Sequence, residues 1–276
     1  MPEARLPIIT LTTDFGGADH YVGAVKASIL SISTQVAIVD ISHEIPPHDV
    51  LEAGWVLRNA FGAFPSRTVH VAVCDPGVGT ARRPIVAVTE NNHLFVGPDN
   101  GIFSFVFEVE PALSVHQITA THYLHPSVSD TFHARDIFGP AAAHLARGAE
   151  ASNMGEPIED YMRIELPRPK VMQEGLVKAV AVHVDRFGNI VLNVTRTSLL
   201  ALLEKTGATG FAAAAGGTRV TSLYRTYGEA PPATPFLLYN SSDLLEIAAN
   251  KARASDLLKV RRGDIIDLIL VQQAAQ

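Results

Sequence analysis

Cysteine is almost missing from this chain: Cys74 is the only one, so no disulfide can form within it. The start of the sequence lacks a basic stretch followed by an apolar run and a cleavage site, which predicts a cytoplasmic location. No run approaches the roughly 18 to 20 consecutive apolar residues that span a bilayer, so a stretch such as 236–239 reads as core and no membrane partner is expected. Positive charge is also sparse, with 22 Lys and Arg against 28 Asp and Glu. The only basic clusters are the pairs Arg82-Arg83 and Arg261-Arg262, which offer no continuous track for phosphates and argue against nucleic acid as a partner. Internal repeats are absent, and the alanine run at 212–215 is the only low-complexity tract.

What is present reads as a folded enzyme of two parts. With 47% hydrophobic side chains, 276 residues suffice for two modest cores. Segments 7–12, 36–41, 68–74 and 84–89 are short, β-branched and apolar almost throughout, as strands buried on both faces are. Helical segments at 20–33 and 49–63 lie between them; Asp49 is a natural cap for the second, whose Leu51, Trp55 and Phe61 fall on one buried face. The alternation predicts an α/β fold around a mainly parallel sheet. A further helix is expected over 133–147, capped by Asp130 or Thr131 and kinked or started late by Pro140. Residues 150–176 are polar and proline-bearing and read as a linker. The expected organisation is an N-terminal α/β domain over 1–160 and a smaller, mostly β, barrel-like C-terminal domain over 161–276. In the latter, 177–184, 190–195, 236–241 and 264–271 are the strand candidates.

In such sheets ligands gather beyond the carboxyl ends of the strands, which directs attention to the loops after the first and third. The first carries Asp14 and Asp19 around Gly16-Gly17; it reads equally as a helix-capping turn or as a ribose-binding carboxylate (Asp14) beside one for a cationic group (Asp19). Asp14-Phe15-Gly16 also occurs in kinases, but the other kinase motifs are missing. The second, 75–83, runs Asp-Pro-Gly-Val-Gly-Thr-Ala-Arg-Arg and lacks both the third glycine of a dinucleotide fingerprint and a following Gly-Lys-Ser/Thr. A proline-glycine turn accounts for Pro76 and Gly77 but not for Asp75 before them or the arginines after them. His133, at a helix start, is a candidate acid-base group. No His-x-x-x-His pair is present and no metal is indicated. Asp185 to Asn189 (Asp-Arg-Phe-Gly-Asn) reads as a hairpin turn or as an adenine site in which Phe187 stacks and the Asn189 amide reads the ring edge.

Taken in order, TTDFG at 12–16, Tyr21-Val22-Gly23 with Lys26, Ile45-Pro46-Pro47 with Asp49-Val50, DPGVGT at 75–80, VGPDNG at 96–101, TFHARDIF at 131–138, DRFGN at 185–189 and the segment from Asn240 to Glu246 resemble one family over nearly the whole chain. It is that of the adenosine-forming S-adenosyl-L-methionine hydrolases, or hydroxide adenosyltransferases, relatives of the fluorinating and chlorinating enzymes. The resemblance implies hydrolysis of S-adenosyl-L-methionine to adenosine and L-methionine, with no cofactor. It also implies a homotrimer whose active sites lie between one subunit's first domain and its neighbour's second. Carried over motif by motif, it places the water-handling Asp, Arg and His at Asp75, Arg82 and His133, and the ribose carboxylate at Asp14. Asp19 and Asp185 fall near the methionine ammonium, and Phe187 and Asn189 at adenine. Tyr227, Ser242 and Glu246 match the second-domain part of the site. His48 stands where the halogenating relatives carry tryptophan, and Ser242 where they carry an arginine for the methionine carboxylate.

The leaving group of such a reaction departs as a neutral thioether, so the difficulty lies in the nucleophile. Free hydroxide at pH 7, from water of pKa about 15.7, costs about 12 kcal/mol. A guanidinium cannot serve as base, which makes Arg82 an orienting group and leaves the proton to Asp75 or His133. The rival readings are a halogenase using halide in place of water, which an anionic Asp75 would repel, and a non-catalytic nucleoside sensor.

Overall fold

A computed structural model describes residues 6–172 and 175–272. The chain divides between Leu166 and Pro167 into two units.

The first unit is built on a six-stranded sheet. Its strands are β1 (Ile8–Thr13), β2 (Ala37–Ser42), β3 (Val69–Val73), β4 (Pro84–Thr89), β5 (Leu94–Pro98) and β6 (Ala112–Gln117), in the spatial order β2-β1-β3-β5-β4-β6. β1, β2, β3 and β5 pair in parallel, and β4 runs against both of its neighbours. The helices are α1 (Tyr21–Ile32), α2 (Val50–Ala60), α3 (Ser104–Val109) and α4 (Gly139–Ala146). Two-residue alternation sorts β3 between two cores. Val69, Val71 and Val73 pack with Val25 and Ile29 of α1 and with Ala141 and Leu145 of α4; Ala72 and Cys74 pack with Ala53 and Leu57 of α2 and Val106 of α3. From β1 the chain crosses through α1 to β2 on one side, while β3 flanks β1 on the other, so the crevice above the carboxyl ends of β1 and β3 is the switch point of the sheet. The Asp14 and Asp75 loops leave those two ends side by side, with Thr13 in register with Val73.

Two local expectations need correction, and a third gains detail. Asp49 caps α2 by accepting the Glu52 N–H at 3.0 Å, and Trp55 and Phe61 are buried, but Leu51 faces outward; the inner face is completed by Ala53 and Leu57 instead. Neither Asp130 nor Thr131 caps the helix after residue 133. Ser129 Oγ accepts the Phe132 N–H, and the segment opens with a π-helical turn, Ala134–Phe138, before α4 starts with Pro140 in its first turn. The polar stretch 150–176, read as a linker, contains the division between Leu166 and Pro167, and its backbone is paired where its side chains show no periodicity. Ile158 N–H donates to Val115, Met162 N–H to Asp99 and Ile164 N–H to Ser104, while β7 (Lys170–Val171) pairs with the first long strand of the second unit.

The second unit is an antiparallel sheet of eight strands. After β7 come β8 (Leu176–Val184), β9 (Ile190–Thr195), β10 (Ala208–Ala215), β11 (Thr218–Val220), β12 (Pro235–Tyr239), β13 (Leu244–Ala249) and β14 (Ile265–Gln272), ordered β11-β10-β14-β8-β9-β13-β12. Past β11 the chain bonds to β12 through Leu237 N–H to Ser222 O and Tyr224 N–H to Leu237 O, nearly closing a barrel around Ala179, Ala181, Leu192, Ile247 and Leu268. Helix α5 (Arg196–Thr206), capped by Thr195 and stopped at left-handed Gly207, and the short α6 (Ala254–Leu258) pack on this core.

One buried polar chain makes folding pH-dependent. His70 lies stacked on Phe95, its Nδ1 2.8 Å from Thr10 Oγ1 and its Nε2 3.2 Å from His93 Nδ1. Burial, then the neighbouring His93, push its pKa down to about 3. The unfolded chain takes up this proton near pH 6.5 and the folded chain only near 3, so the unfolded form binds more protons across that window. Stability is complete above 6.5 and falls as the pH drops, by at most about 1.4 kcal/mol per unit for one proton. Ordinary carboxylates join below roughly pH 4.5. Denaturant melts between pH 6.5 and 4.5 should therefore have a shallower pH slope in His70→Gln than in the parent chain; equal slopes would dismiss His70 as the source.

Candidate active site

At the carboxyl ends of β1 and β3 lies a cavity of about 320 Å³, lined by Asp14, Asp75 and His133 together with Phe15, Tyr21, His48 and Phe132. Asp75 lies two residues beyond Val73, the last residue of β3, and opens a compact turn. Val78 N–H donates to Asp75 O, Thr80 N–H and Oγ1 both donate to Gly77 O, and Thr80 Oγ1 accepts the Arg82 N–H. Gly79 has φ +77°, and a Cβ there would come within 2.3 Å of the Asp130 carbonyl, so the turn lies directly against the strand of loop that carries His133.

The turn folds Arg82 back onto Asp75. Nε donates to Oδ1 at 3.1 Å and Nη2 to Oδ2, while Nη2 also meets His133 Nδ1 at 3.0 Å; the Arg82 and Asp75 side chains are only 7% and 5% exposed. The guanidinium carbon sits 5.4 Å from the Phe138 ring centroid. A guanidinium only donates, so His133 Nδ1 must accept and the ring proton resides on Nε2. Burial and then the Arg82 charge hold His133 below its usual pKa, in keeping with a neutral ring. Burial raises the Asp75 pKa, a shift that Arg82 and His133 oppose without cancelling. Arg82 Nη1 is buried and has no hydrogen-bond partner among the described residues.

Two further anchors hold the cavity walls. Buried Asp136 accepts Arg135 Nε at 2.6 Å, Arg135 Nη2 at 2.9 Å and the Ser129 N–H at 3.0 Å, which fixes the loop before the π turn and so the direction of His133. Asp14 Oδ2 accepts the His48 N–H at 2.9 Å and the Cys74 thiol at 3.5 Å; no described residue donates to its Oδ1. Burial and the neighbouring carboxylates, Asp14 first, push the Cys74 thiol far up, so it stays protonated. Sequence reasoning missed the aromatic wall: Phe15, Tyr21 and Phe132 meet pairwise at centroid distances of 5.3 to 6.1 Å. All three lay inside motifs that had been singled out for their charges. Asp19, by contrast, is exposed and does not line the cavity.

The second unit carries its own cavity, of about 650 Å³, lined by Asp185, Phe187, Asn189 and Tyr227 along with Asn250, Lys251 and Arg253. Asp185 opens the β8–β9 turn, its Oδ1 accepting the N–H groups of Phe187 and Asn189 and its Oδ2 the Asn189 amide. The carboxylate thus shapes the loop that leaves Phe187 75% exposed, free to stack. Glu246 is buried at 3% exposure and accepts Tyr227 OH at 2.9 Å and Asn240 Nδ2 at 3.2 Å, and burial raises its pKa. It stands beneath Tyr227 and outside the cavity lining. Ser242 also lies outside the lining; its N–H donates to Asn240 Oδ1 within the turn between β12 and β13. Among the described residues no cluster of three or more His, Cys, Asp or Glu could hold a metal ion, and no helix is long and apolar enough to cross a membrane.

Comparison with known proteins places the chain in a family. The SAM hydroxide adenosyltransferase N-terminal domain matches residues 9–155 and the corresponding C-terminal domain residues 179–267. The (R)-S-adenosyl-L-methionine hydrolase of Salinispora arenicola is 38% identical over 267 residues, 95% of this chain and 97% of that one. A fluorinase of an Actinoplanes species is more distant, at 28% over 75% of this chain and 76% of its own. The crystal structure of an uncharacterized conserved protein from Thermotoga maritima superposes with a TM-score of 0.87 at 34% identity, covering 95% of this chain and 99% of that one. The chain therefore belongs to the SAM hydroxide adenosyltransferase family.

Proposed function

We propose that this protein hydrolyses S-adenosyl-L-methionine to adenosine and L-methionine, with Asp75 as the group that receives the proton of the attacking water. The observation that carries this reading is the Asp75–Arg82–His133 cluster, whose Asp75 and His133 line the cavity that also holds Asp14, with Arg82 behind them. Water attacks the ribose C5′ carbon, and the C5′–S bond breaks with its electron pair passing to sulfur. The proton lost by water goes to Asp75 and from there to solvent. Partial transfer in the transition state avoids the cost of free hydroxide, and the upward-shifted Asp75 is the better base for it. His133 is unsuited to that role while Nδ1 faces Arg82, because its other nitrogen already carries a proton. Its Nε2–H is the donor that orients the water oxygen, while Arg82 acts from behind by holding Asp75 and His133.

The rest of the cavity suits the substrate. Asp14 Oδ1 accepts from the ribose diol, and the faces of Phe15, Tyr21 and Phe132 receive the sulfonium cation. An anionic Asp75 repels halide, which favours water as the nucleophile. Phe187 stacks on adenine, with the Asn189 side chain at its edge. In this reading Asp185 and Glu246 act by building the Phe187 turn and supporting Tyr227, and Asp19 and Ser242 lie toward the methionine end. The decisive assay is incubation in ¹⁸O-water. Label in the adenosine 5′-hydroxyl, with no halo-nucleoside formed in chloride or fluoride, is the expected product pattern; unlabelled adenosine would refute direct attack.

We further propose a homotrimer in which the Asp75 cavity of one protomer works with the Phe187 cavity of its neighbour. Asp75→Asn and Asn189→Ala chains, each inactive alone, should regain up to about a quarter of parental activity when refolded together, because about one site in four then combines two intact halves. Activity no higher than the sum of the separate chains would exclude a shared site.

A further inference from the structure

The motif VGPDNG at 96–101 contributes nothing to the cavity lining, yet its Asp99 and Asn100 hold both ends of the loop that forms the Asp75–Arg82 pair. Asn100 Nδ2 donates to the carbonyl of Cys74, the residue before Asp75, at 2.9 Å. Its Oδ1 accepts the Ile102 N–H at 3.2 Å, and this pairing fixes which end of the amide faces Cys74. Asp99 grips the residue after Arg82. Its Oδ2 accepts Arg83 Nε at 2.9 Å and Nη2 at 2.6 Å, and its N–H donates to Arg83 O at 2.9 Å. The side chain of Asp99 is only 5% exposed, and its Oδ1 accepts the Met162 N–H at 2.7 Å. Gly97 allows the whole arrangement to sit close: a Cβ there would fall 2.4 Å from the Ala72 carbonyl on β3.

Adjacent arginines thus turn to opposite duties. Arg82 points to Asp75 and His133, and Arg83 is tied to Asp99 and to exposed Asp160. A bidentate ion pair requires its two partners to be set within a few tenths of an ångström, and a turn of six residues between them that contains Gly77 and Gly79 does not impose that by itself. We infer that Asn100 and Asp99 are positioning residues for water activation, holding residues 74 and 83 so that Asp75 and Arg82 meet in register. This inference rests on the assignment of Asp75 and Arg82 to that step. Asp160 adds little, since an ion pair at the surface is weak.

The test compares kcat, KM and the pH profile of full-length Asn100→Asp, Asp99→Asn and Asp75→Asn variants, each checked for a native melting transition. Asn100→Asp keeps the acceptor for Ile102 and removes the donor to Cys74 but also adds a negative charge there, so the uncharged Asn100→Ser is measured beside it as the control for the acid limb. The expected result is a kcat lowered tenfold to a hundredfold with KM changed less than threefold, and an acid limb displaced toward higher pH as Asp75 loses its register with Arg82. Combining Asn100→Asp with Asp75→Asn should lower kcat no further than Asp75→Asn alone. If Asp75→Asn is inactive while both loop variants keep parental kcat and acid limb, the positioning role is overturned and the assignment of Asp75 stands. If Asp75→Asn itself turns over normally, the assignment fails first. Should Asn100→Asp not fold, Asp99→Asn, whose single amide oxygen can serve Arg83 or Met162 but not both, decides alone by the same two readouts.

Discussion

Asp75→Asn is expected to lower kcat by at least about a hundredfold while leaving nucleoside binding largely intact, since loss of an acid-base group typically costs two to four orders of magnitude. Asparagine matches aspartate in shape and still offers one oxygen to Arg82, but it cannot take a proton. Its amide nitrogen also places donor against donor opposite the guanidinium. The side chain is only 5% exposed, so bulk water cannot replace the missing base at the same position. Adenosine affinity separates this effect from a collapsed site, because the ribose and adenine contacts proposed for Asp14 and Phe187 do not include Asp75. Turnover within tenfold of the parent, with a normal melting temperature, would dismiss Asp75 as the base.

Arg82→Lys should be nearly as damaging and should also change the shape of the pH profile. Lysine retains the charge but not the planar fork that meets Asp75 at two oxygens and His133 at one nitrogen. The turnover loss is expected at about a hundredfold, on the scale of one lost charge-orienting donor. Asp75 is raised by burial and held partway down by Arg82, so weakening that contact lets burial dominate further. The active form has Asp75 ionised, and the acid limb of kcat therefore moves to higher pH. His133, freed at Nδ1 of the fixed donor that Arg82 Nη2 supplied, has a second nitrogen open to protonation, which steepens the same limb. An unchanged limb in a folded Arg82→Lys protein would show that the pair does not govern the base.

Much of this site was legible because charge spacing survives in a linear reading. Asp75 and Arg82 lie seven residues apart on a turn rich in glycine, and the strand before them is plainly apolar. What escaped depended on contacts between distant segments. The VGPDNG motif could be seen, but that Asp99 would hold Arg83 required knowing that β5 lies between β3 and β4. Asp185 and Glu246 were read for their charge alone; the folded chain adds that Asp185 also accepts the Phe187 and Asn189 N–H groups while lining the cavity, and that Glu246 is buried under Tyr227. The alanine run at 212–215 is a strand against its own propensity, since β10 lies between β11 and β14 and small side chains fit the barrel interior. Helix α5 carried clear signals in Thr195 and Gly207, yet its apolar residues are too evenly spread to mark one face. The Asp130 or Thr131 cap failed for a similar reason. Ser129 is one of several hydroxyl and carboxylate side chains in a row, and the π turn decides which of them is in reach.

The sealed position of Cys74 has a practical side. Its sulfur is enclosed between the sheet and α2, remains protonated, and is spent on Asp14. Toward maleimides and mild oxidants the folded chain behaves as though it had no thiol at all. A cysteine introduced at any surface position becomes a unique attachment point for a dye or spin label, without removing the native residue. Labels at exposed Leu113 of the first unit and exposed Leu200 of the second would then report the distance between the two units directly, with and without substrate.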